Sequence, residues 1–207
     1  MLIKNTSFKD LFFELWYKLG KPPWVIDKAQ PSLISAVSDG AIFGKTVLDV
    51  GCGTGDNAVY LASRSLSVTG VDLSPKAISI AKQKARKAAI DATFITWDAF
   101  NLGTLAKKFD TVLDFGLFHN IGDKNRERYI RSLHDVCANK GKLLLLCFSD
   151  KGDKVQSGRI GPRLISQDEI RASFAEGWQI EWIRSTSYKM TRSKQASAWL
   201  ASIICTK

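Results

Sequence analysis

From Thr46 onward, short apolar runs rich in β-branched residues alternate with stretches whose apolar positions recur at helical spacing, the signature of repeated βα units feeding a parallel sheet. The runs predict five parallel strands, Thr46–Val50, Ser67–Asp72, Ala92–Thr96, Asp110–Asp114 and Lys142–Phe148. Between them Asn57–Arg64, Pro75–Ala89 and Lys124–Ala138 read as helices. In the second of these Ile78, Ala81 and Ala85 make an inward stripe, which leaves the basic run Lys82 to Lys87 as a solvated face. Ser74-Pro75 starts that helix, with the serine as cap and the proline at the first helical position.

After the fifth strand, Ser149 to Arg163 is rich in Gly, Ser and Lys and reads as a long surface loop. A last helix opens on the capping box Ser166-Gln167-Asp168-Glu169, carries Ile170 and Phe174, and is expected to stop at Gly177. Two final strands, Gln179–Arg184 and Ala198–Cys205, flank a polar segment too short for a helical crossover and so pair antiparallel. Ahead of residue 46 the chain changes character. Phe8 to Leu19 clusters aromatic and aliphatic residues with few polar breaks, which predicts a helix capping the edge or mouth of the sheet; its weak basic face argues against a membrane-surface helix. The chain reads as a single domain over residues 1–207, with 1–45 a cap and 46–207 an α/β core.

Composition adds boundaries rather than detail. At 207 residues with 45% hydrophobic and 24% charged residues, the chain can build a proper core. No apolar run approaches the roughly 18 residues of a membrane span. Leu11 to Leu19 contains Glu14 and Lys18 and leads into Lys21-Pro22-Pro23, so no export signal is read and a cytoplasmic location is expected. Cys52, Cys137, Cys147 and Cys205 form no CxxC pair and have no neighbouring histidine, so neither a metal site nor a disulfide framework is expected. The net charge of +10 raises the prospect of an anionic partner.

The strongest local signal is Val47-Leu48-Asp49-Val50-Gly51-Cys52-Gly53-Thr54-Gly55, an apolar strand running into three alternating glycines and then a helix. Such a loop lets the backbone turn sharply and approach a ligand closely. The position that would complete a GxGxxG dinucleotide fingerprint is Asp56, a poor neighbour for a pyrophosphate. Asp72 follows by about one βα unit at the end of the second strand, the spacing of a carboxylate that accepts both ribose hydroxyls. Asp98, in Trp97-Asp98-Ala99-Phe100, stands just past the third. Any one of these acids could be a mere helix cap; three in register with a glycine loop, at the strand ends where open α/β sheets bind ligands, argue against that reading and for a ligand site.

These residues resemble the class I S-adenosylmethionine-dependent methyltransferases, strongly over residues 46 to 148 and more weakly elsewhere. The resemblance implies a Rossmann-like α/β fold with a seven-stranded, mostly parallel sheet, an antiparallel C-terminal hairpin and an N-terminal helical cap. It implies S-adenosyl-L-methionine as cofactor and S-adenosyl-L-homocysteine as product, held by Trp24, Asp49, Gly51, Cys52, Gly53, Gly55, Asp72, Leu73, Asp98, Ala99 and Phe115. Phe109 to Asp114 is similar to that family's fourth strand. Trp16-Tyr17, Pro22-Pro23-Trp24 and Gln30-Pro31 look like its small-molecule subset, the thiopurine, thiol and halide methyltransferases and bacterial enzymes acting on hydroxylated heterocycles, in which the leading segment folds over the cofactor. Phe115 to His119 and Gly161 to Gln167 look closest to the heterocycle-methylating group, whereas Val25-Ile26-Asp27 departs from the acid that usually follows the tryptophan.

On this reading Trp16, Tyr17, Trp24, Phe115 and Phe118 could form a flat apolar wall, with His119 and Arg163 completing a substrate pocket. His119, just beyond strand four, is the candidate general base for a substrate hydroxyl; the alternative is a histidine that shapes the pocket while an already ionised substrate attacks. Cys52 reads as small-residue packing, and His134 as a surface residue. Residues 151–207 carry ten basic and five acidic residues, with Arg159, Arg163, Arg184, Lys189, Arg192 and Lys194 assigned to two late loops that could track an RNA backbone. Against RNA stands Asp114 to His119, which lacks the Asn or Asp followed by Pro-Pro and an aromatic of exocyclic-amino methylases of nucleic acids. A small-molecule substrate is the preferred expectation. The alternatives are an RNA methyltransferase, a cofactor-binding protein without transfer activity and, more weakly, a nicotinamide oxidoreductase; acceptor atom and oligomeric state stay open.

Overall fold

The computed structural model describes residues 8–152, 162–191 and 194–207 of the chain. Two helices lead, α1 (Phe8–Leu19) and α2 (Pro31–Ser38). The alternating part follows as β1 (Thr46–Val50), α3 (Asp56–Ala62), β2 (Ser67–Asp72), α4 (Pro75–Lys87) and β3 (Thr93–Thr96). A 3-10 segment at Ala99–Leu105 precedes β4 (Phe109–Phe115), and a second at Phe118–Asn120 precedes α5 (Asp123–Val136). The chain ends with β5 (Cys137–Phe148), α6 (Gln167–Ser173), β6 (Trp178–Lys189) and β7 (Gln195–Cys205).

The seven strands form one sheet in the order β3-β2-β1-β4-β5-β7-β6. The first five are mutually parallel, and β7 inserts antiparallel between β5 and β6. Strand order therefore reverses between β1 and β4, the place in an open α/β sheet where a crevice forms outside the carboxyl ends of the strands.

Burial on both faces explains why β5 reads as a continuous apolar run rather than an alternating one. Leu143, Leu145 and Cys147 face a core completed by Tyr129 and Leu133 of α5 and Ile170 of α6. Leu144, Leu146 and Phe148 face the opposite core, with Leu33 of α2, Leu61 of α3 and Ile78 and Ala81 of α4. Both expected caps form: Ser74 Oγ accepts from Ala77 N at 3.0 Å, and Ser166 Oγ from Glu169 N at 3.0 Å.

Most element boundaries shift by a residue or two from the pattern, and the larger differences lie in the C-terminal half, where β5 begins at Cys137 rather than Lys142. The helix expected to run to Ala138 stops at Val136, because Cys137 already pairs with Phe109 in the sheet. The last helix stops at Ser173 rather than Gly177, which instead turns the chain into β6 with φ +74°. The terminal strands are longer, at 12 and 11 residues, since pairing with each other continues past the sheet to Lys189 and Gln195. Lys189 consequently stands in a strand and not in a loop, and Arg184 lies inside that strand rather than at its end. Of the other cations assigned to the late loops, Arg159 and Arg192 lie outside the described residues.

Candidate active site

At the C-terminal ends of the parallel strands lies a cavity of about 720 Å³, of the size that encloses small ligands. It spans the point where strand order reverses. Asp49, Asp72 and Trp97 to Phe100 line it from the β1–β2–β3 side, and Phe115, His119, Phe148 and Tyr188 from the β4–β5–β6 side. Phe12, Phe13, Trp16 and Tyr17 of α1 cover it, as the position expected for this helix requires.

The glycine loop divides its labour. Gly51, Cys52 and Gly53 line the cavity. Gly53 has φ +53°, and a Cβ there would come within 2.8 Å of the Tyr17 hydroxyl, so only glycine leaves room between loop and lid. Gly55, expected to touch the cofactor, does not line the cavity. It is the left-handed cap of α3 at φ +78°, and a Cβ on it would meet Ala81 and Phe94 at 2.8 Å, so it brings helix, helix and strand together. Cys52 is buried, and its thiol is pushed well up by desolvation and by Asp49 and Asp72, which suits packing and not nucleophilic chemistry.

Of the four acids that line the cavity, Asp56 is paired with Lys84, and the other three are held in different ways. Asp72 Oδ2 accepts from Gly53 N at 2.9 Å and Oδ1 from Ser74 N at 2.8 Å, so the carboxylate is fixed by backbone while each oxygen keeps a second lone pair. Asp98 is also a cap: Oδ1 accepts from Phe100 N at 2.9 Å and Oδ2 from the Asn101 amide at 2.7 Å. Asp49 is 1% exposed and its Oδ2 has no hydrogen-bond partner. Burial, then the charges of Asp72, Asp114 and Asp56, push its carboxyl up to about 7. An orphaned buried carboxylate oxygen at the floor of a cavity calls for a cation or a donor from a ligand.

The lid is tied down at several points. Trp24 sits at the centre of an aromatic cluster, edge-on to Phe13, Trp16 and Tyr17 at 5.4, 6.0 and 6.1 Å between ring centres. Its indole N–H donates to the Tyr17 hydroxyl at 2.9 Å. Glu14 of α1 accepts from Ser74 Oγ at the start of α4. Lys84 Nζ bridges Asp27 at 3.0 Å, Thr54 at 3.0 Å and Asp56 at 2.7 Å, joining the leading segment to the glycine loop. Gln30 exchanges two hydrogen bonds of 3.0 Å with the Lys189 backbone at the end of β6.

His119 lies in the 3-10 segment after β4, 4% exposed, its ring stacked on Phe148 at 4.3 Å and edge-on to Tyr188 at 6.3 Å. Its Nδ1 accepts from the Phe148 backbone N–H at 3.3 Å. Burial pushes the imidazole down to about 3, so it is neutral and carries its proton on Nε2. This geometry favours the alternative to a general base, because the accepting nitrogen is already engaged and the nitrogen left for the cavity is a donor. Two expectations for the substrate pocket are corrected, since neither Phe118 nor Arg163 lines the cavity. Phe118 is fully buried away from the cavity, against Phe174 at 5.7 Å and under the Arg126 guanidinium at 4.6 Å. Arg163 turns its guanidinium to Asp123 and Glu169, and only its backbone N–H, donating to His119 O at 2.9 Å, serves the site.

Sequence reasoning missed Phe12, Phe13, Phe148, Tyr188 and Met190, which line the cavity. Phe148 was visible only as the end of a buried strand, and Tyr188 and Met190 only as polar-segment neighbours; nothing local marks a residue brought in by the antiparallel hairpin. Arg184, assigned to an RNA-facing loop, stacks on Trp182 at 4.3 Å and pairs with Asp39 at 3.3 Å. His134, expected at the surface, is half-buried edge-on to Trp178 at 5.4 Å.

Comparison with known proteins follows the same outline. A family model described as a methyltransferase domain matches residues 47–141. The 2-heptyl-1-hydroxyquinolin-4(1H)-one methyltransferase of Mycobacteroides abscessus is 31% identical over 162 residues, 78% of this chain and 70% of that protein. A solved structure reported under the conversion of a disulfide bond into a thioacetal group during echinomycin biosynthesis superposes with TM-score 0.84 at 34% identity, covering 95% of this chain and 92% of that one. The magnesium protoporphyrin IX methyltransferase of Synechocystis, solved with bound S-adenosylmethionine, shares the fold at TM-score 0.65 and 21% identity, over 98% of this chain and 86% of that one.

Proposed function

The chain belongs to the class I S-adenosylmethionine-dependent methyltransferases, and from that footing we propose that it methylates a hydroxyl, nitrogen or thiol of a small aromatic or heterocyclic molecule. The observation that carries this is one cavity with two kinds of wall. One end offers Asp49, Asp72 and the glycine loop, and the other offers aromatic faces with one neutral imidazole. We take residues 1–45 as the cap of a single catalytic unit whose core is 46–207, and place it in the cytoplasm; among the described residues no helix is long and apolar enough to cross a membrane.

The residues present fit the cofactor. Asp49 Oδ2, without a protein partner, suits its ammonium group; Asp72, with free lone pairs, suits its ribose hydroxyls; Leu73, Asp98, Ala99 and Phe100 suit its base. When bound, S-adenosylmethionine supplies an electrophilic methyl group on a sulfonium, leaving S-adenosylhomocysteine. The protein's share is alignment and exclusion of water. Holding an acceptor in line can account for roughly 7–11 kcal/mol of the barrier. Trp16, Trp24 and Phe148 provide flat apolar contact for a planar ring, and an aromatic face beside a sulfonium adds about 0.5–2 kcal/mol. The lid, fastened by Glu14, Lys84 and Gln30, keeps solvent from the reacting atoms.

RNA is disfavoured as substrate, since Arg184 is spent on Trp182 and Asp39 and Arg163 on Asp123 and Glu169. The test is incubation with methyl-labelled S-adenosylmethionine and, in parallel, total RNA and a panel of hydroxylated quinolines, phenols and thiols. Label in extractable small products supports the proposal. Nuclease-sensitive label in RNA overturns it, and bound cofactor with label in neither points to a protein without transfer activity.

A further inference from the structure

The hydrogen bond at His119 narrows the acceptor. A backbone N–H can only donate, so Phe148 N fixes His119 Nδ1 as a bare acceptor without reference to any assigned hydrogen. The ring cannot turn over to exchange its nitrogens without losing that bond in a buried place, because Phe148 stacks on one face and Tyr188 closes from the side. Arg163 N, donating to His119 O, fixes the backbone of the same residue. Nε2 then carries the proton and has no hydrogen-bond partner among the described residues, while the ring lines the cavity. The titratable side chain packed on the ring is the Tyr188 phenol of β6, which burial pushes up and so keeps neutral; β5 contributes only Phe148. No carboxylate is hydrogen-bonded to the imidazole among the described residues, so nothing there would convert it into a base.

We propose that the acceptor is an acidic hydroxyl or thiol on the aromatic substrate that enters as its anion, held by the Nε2–H of His119, so that the site selects acceptors by their own acidity. This rests on the small-molecule reading above and names the substrate class within it. A neutral amine fits poorly, because the donor would tie up the single lone pair that must attack; an anionic oxygen or sulfur has three and can spare one. The acceptor loses its proton to water before binding. Its lone pair then forms the bond to the methyl carbon as the carbon–sulfur bond breaks with its electrons kept by sulfur, and anion plus sulfonium become two neutral groups with no proton left to place. An anion beside a sulfonium in an apolar cavity is also the favourable charge arrangement.

Two measurements on the full chain test this. In the first, kcat/KM is followed against pH for phenols and hydroxyquinolines whose own acidities span about four pH units. The rate should rise to a plateau at a pH that moves with each acceptor. His119→Ala should lower the plateau ~10- to 100-fold without shifting that pH, and His119→Gln, which restores an N–H, should recover part of the loss. An inflection at one fixed pH for every acceptor, abolished in His119→Ala, assigns the proton to the protein and overturns the proposal, as does preferential methylation of neutral amines. In the second, nitrogen-15 NMR of histidine-labelled protein reads the tautomer without turnover. Bare Nδ1 and protonated Nε2 are expected at neutral pH, and protonated Nδ1 overturns the proposal. Absence of any methylated small molecule with the expected tautomer would count against the enzyme reading and leave the donor assignment standing.

Discussion

The indole N–H of Trp24 donates to the hydroxyl of Tyr17 over 2.9 Å, and that hydroxyl overlies the loop where a Cβ on Gly53 would come within 2.8 Å of it. Lid and loop are thus set against each other by one oxygen. Tyr17→Phe should keep the ring packing but leave the indole unpartnered, costing about 1 kcal/mol of stability and weakening S-adenosylhomocysteine binding several-fold. Titration calorimetry against the wild-type chain reads the second effect; unchanged affinity would mean the hydroxyl does not hold the lid.

The two glycines of the loop should fail differently. Gly53→Ala meets Tyr17, a lid residue, so ligand affinity should drop more than stability. Gly55→Ala meets Ala81 and Phe94 in the core from a left-handed backbone, and should cost about 2–4 kcal/mol of folding stability by urea titration. Equal losses in both assays for both variants would argue against the division.

Asp49 predicts opposite pH trends for the empty and the loaded protein. Its folded carboxyl is raised to about 7 by burial and neighbouring acids, so in the empty protein its contribution to stability is full at low pH and is lost as pH rises through 7. A cationic ligand group favours the ionised form, so cofactor affinity should climb between about pH 6 and 7.5. Asp49→Asn should stabilise the empty protein at pH 8, flatten that climb and weaken binding. Thermal melts with and without S-adenosylhomocysteine across this range give both signs.

Asp114 holds the turn that carries His119: Oδ1 accepts from the N–H groups of Leu117 and Phe118 at 2.8 and 3.1 Å, and Oδ2 from the Tyr129 hydroxyl at 2.7 Å. Burial raises it to about 6 in spite of these bonds, so the stability it contributes is lost as pH rises through 6. Tyr129→Phe removes a donor that favours the charged form and should cost about 1–3 kcal/mol, more at pH 8 than at pH 5. A pH-independent loss in urea titrations would place the cost in packing alone.

Arg163→Ala should leave the KM for a small acceptor unchanged and change stability by less than about 1 kcal/mol, since its partly exposed guanidinium pairs outward with Asp123 and Glu169. A large rise in KM would return this residue to the pocket.

Much of the cofactor end was legible in sequence because it is local: glycines, Asp72 and Asp98 follow their strands directly, and the sheet supplies their common edge. Even there the chain hid which glycine does what, since Gly53 and Gly55 differ only in what packs above them. At the acceptor end, Phe118 and His119 are adjacent in sequence yet face opposite ways, one into the core and one into the cavity, because a 3-10 turn places successive side chains about 120° apart. His119 could be located by its strand, but its proton could not; that depends on a backbone N–H 29 residues away. Arg163 looked like a pocket residue because its segment does reach the site, through the backbone.

The Gln30 amide, which both donates to and accepts from the Lys189 backbone, joins positions 159 residues apart. During synthesis the aromatic lid therefore emerges long before the strand it fastens to, and its exposed apolar side chains must wait while nearly the whole sheet is made. Because β7 inserts between β5 and β6, that wait ends only when the final strand is in place. Closing so long a loop is slow. Nascent chains halted before β7 should therefore be the ones that chaperones bind and that fail to retain S-adenosylhomocysteine.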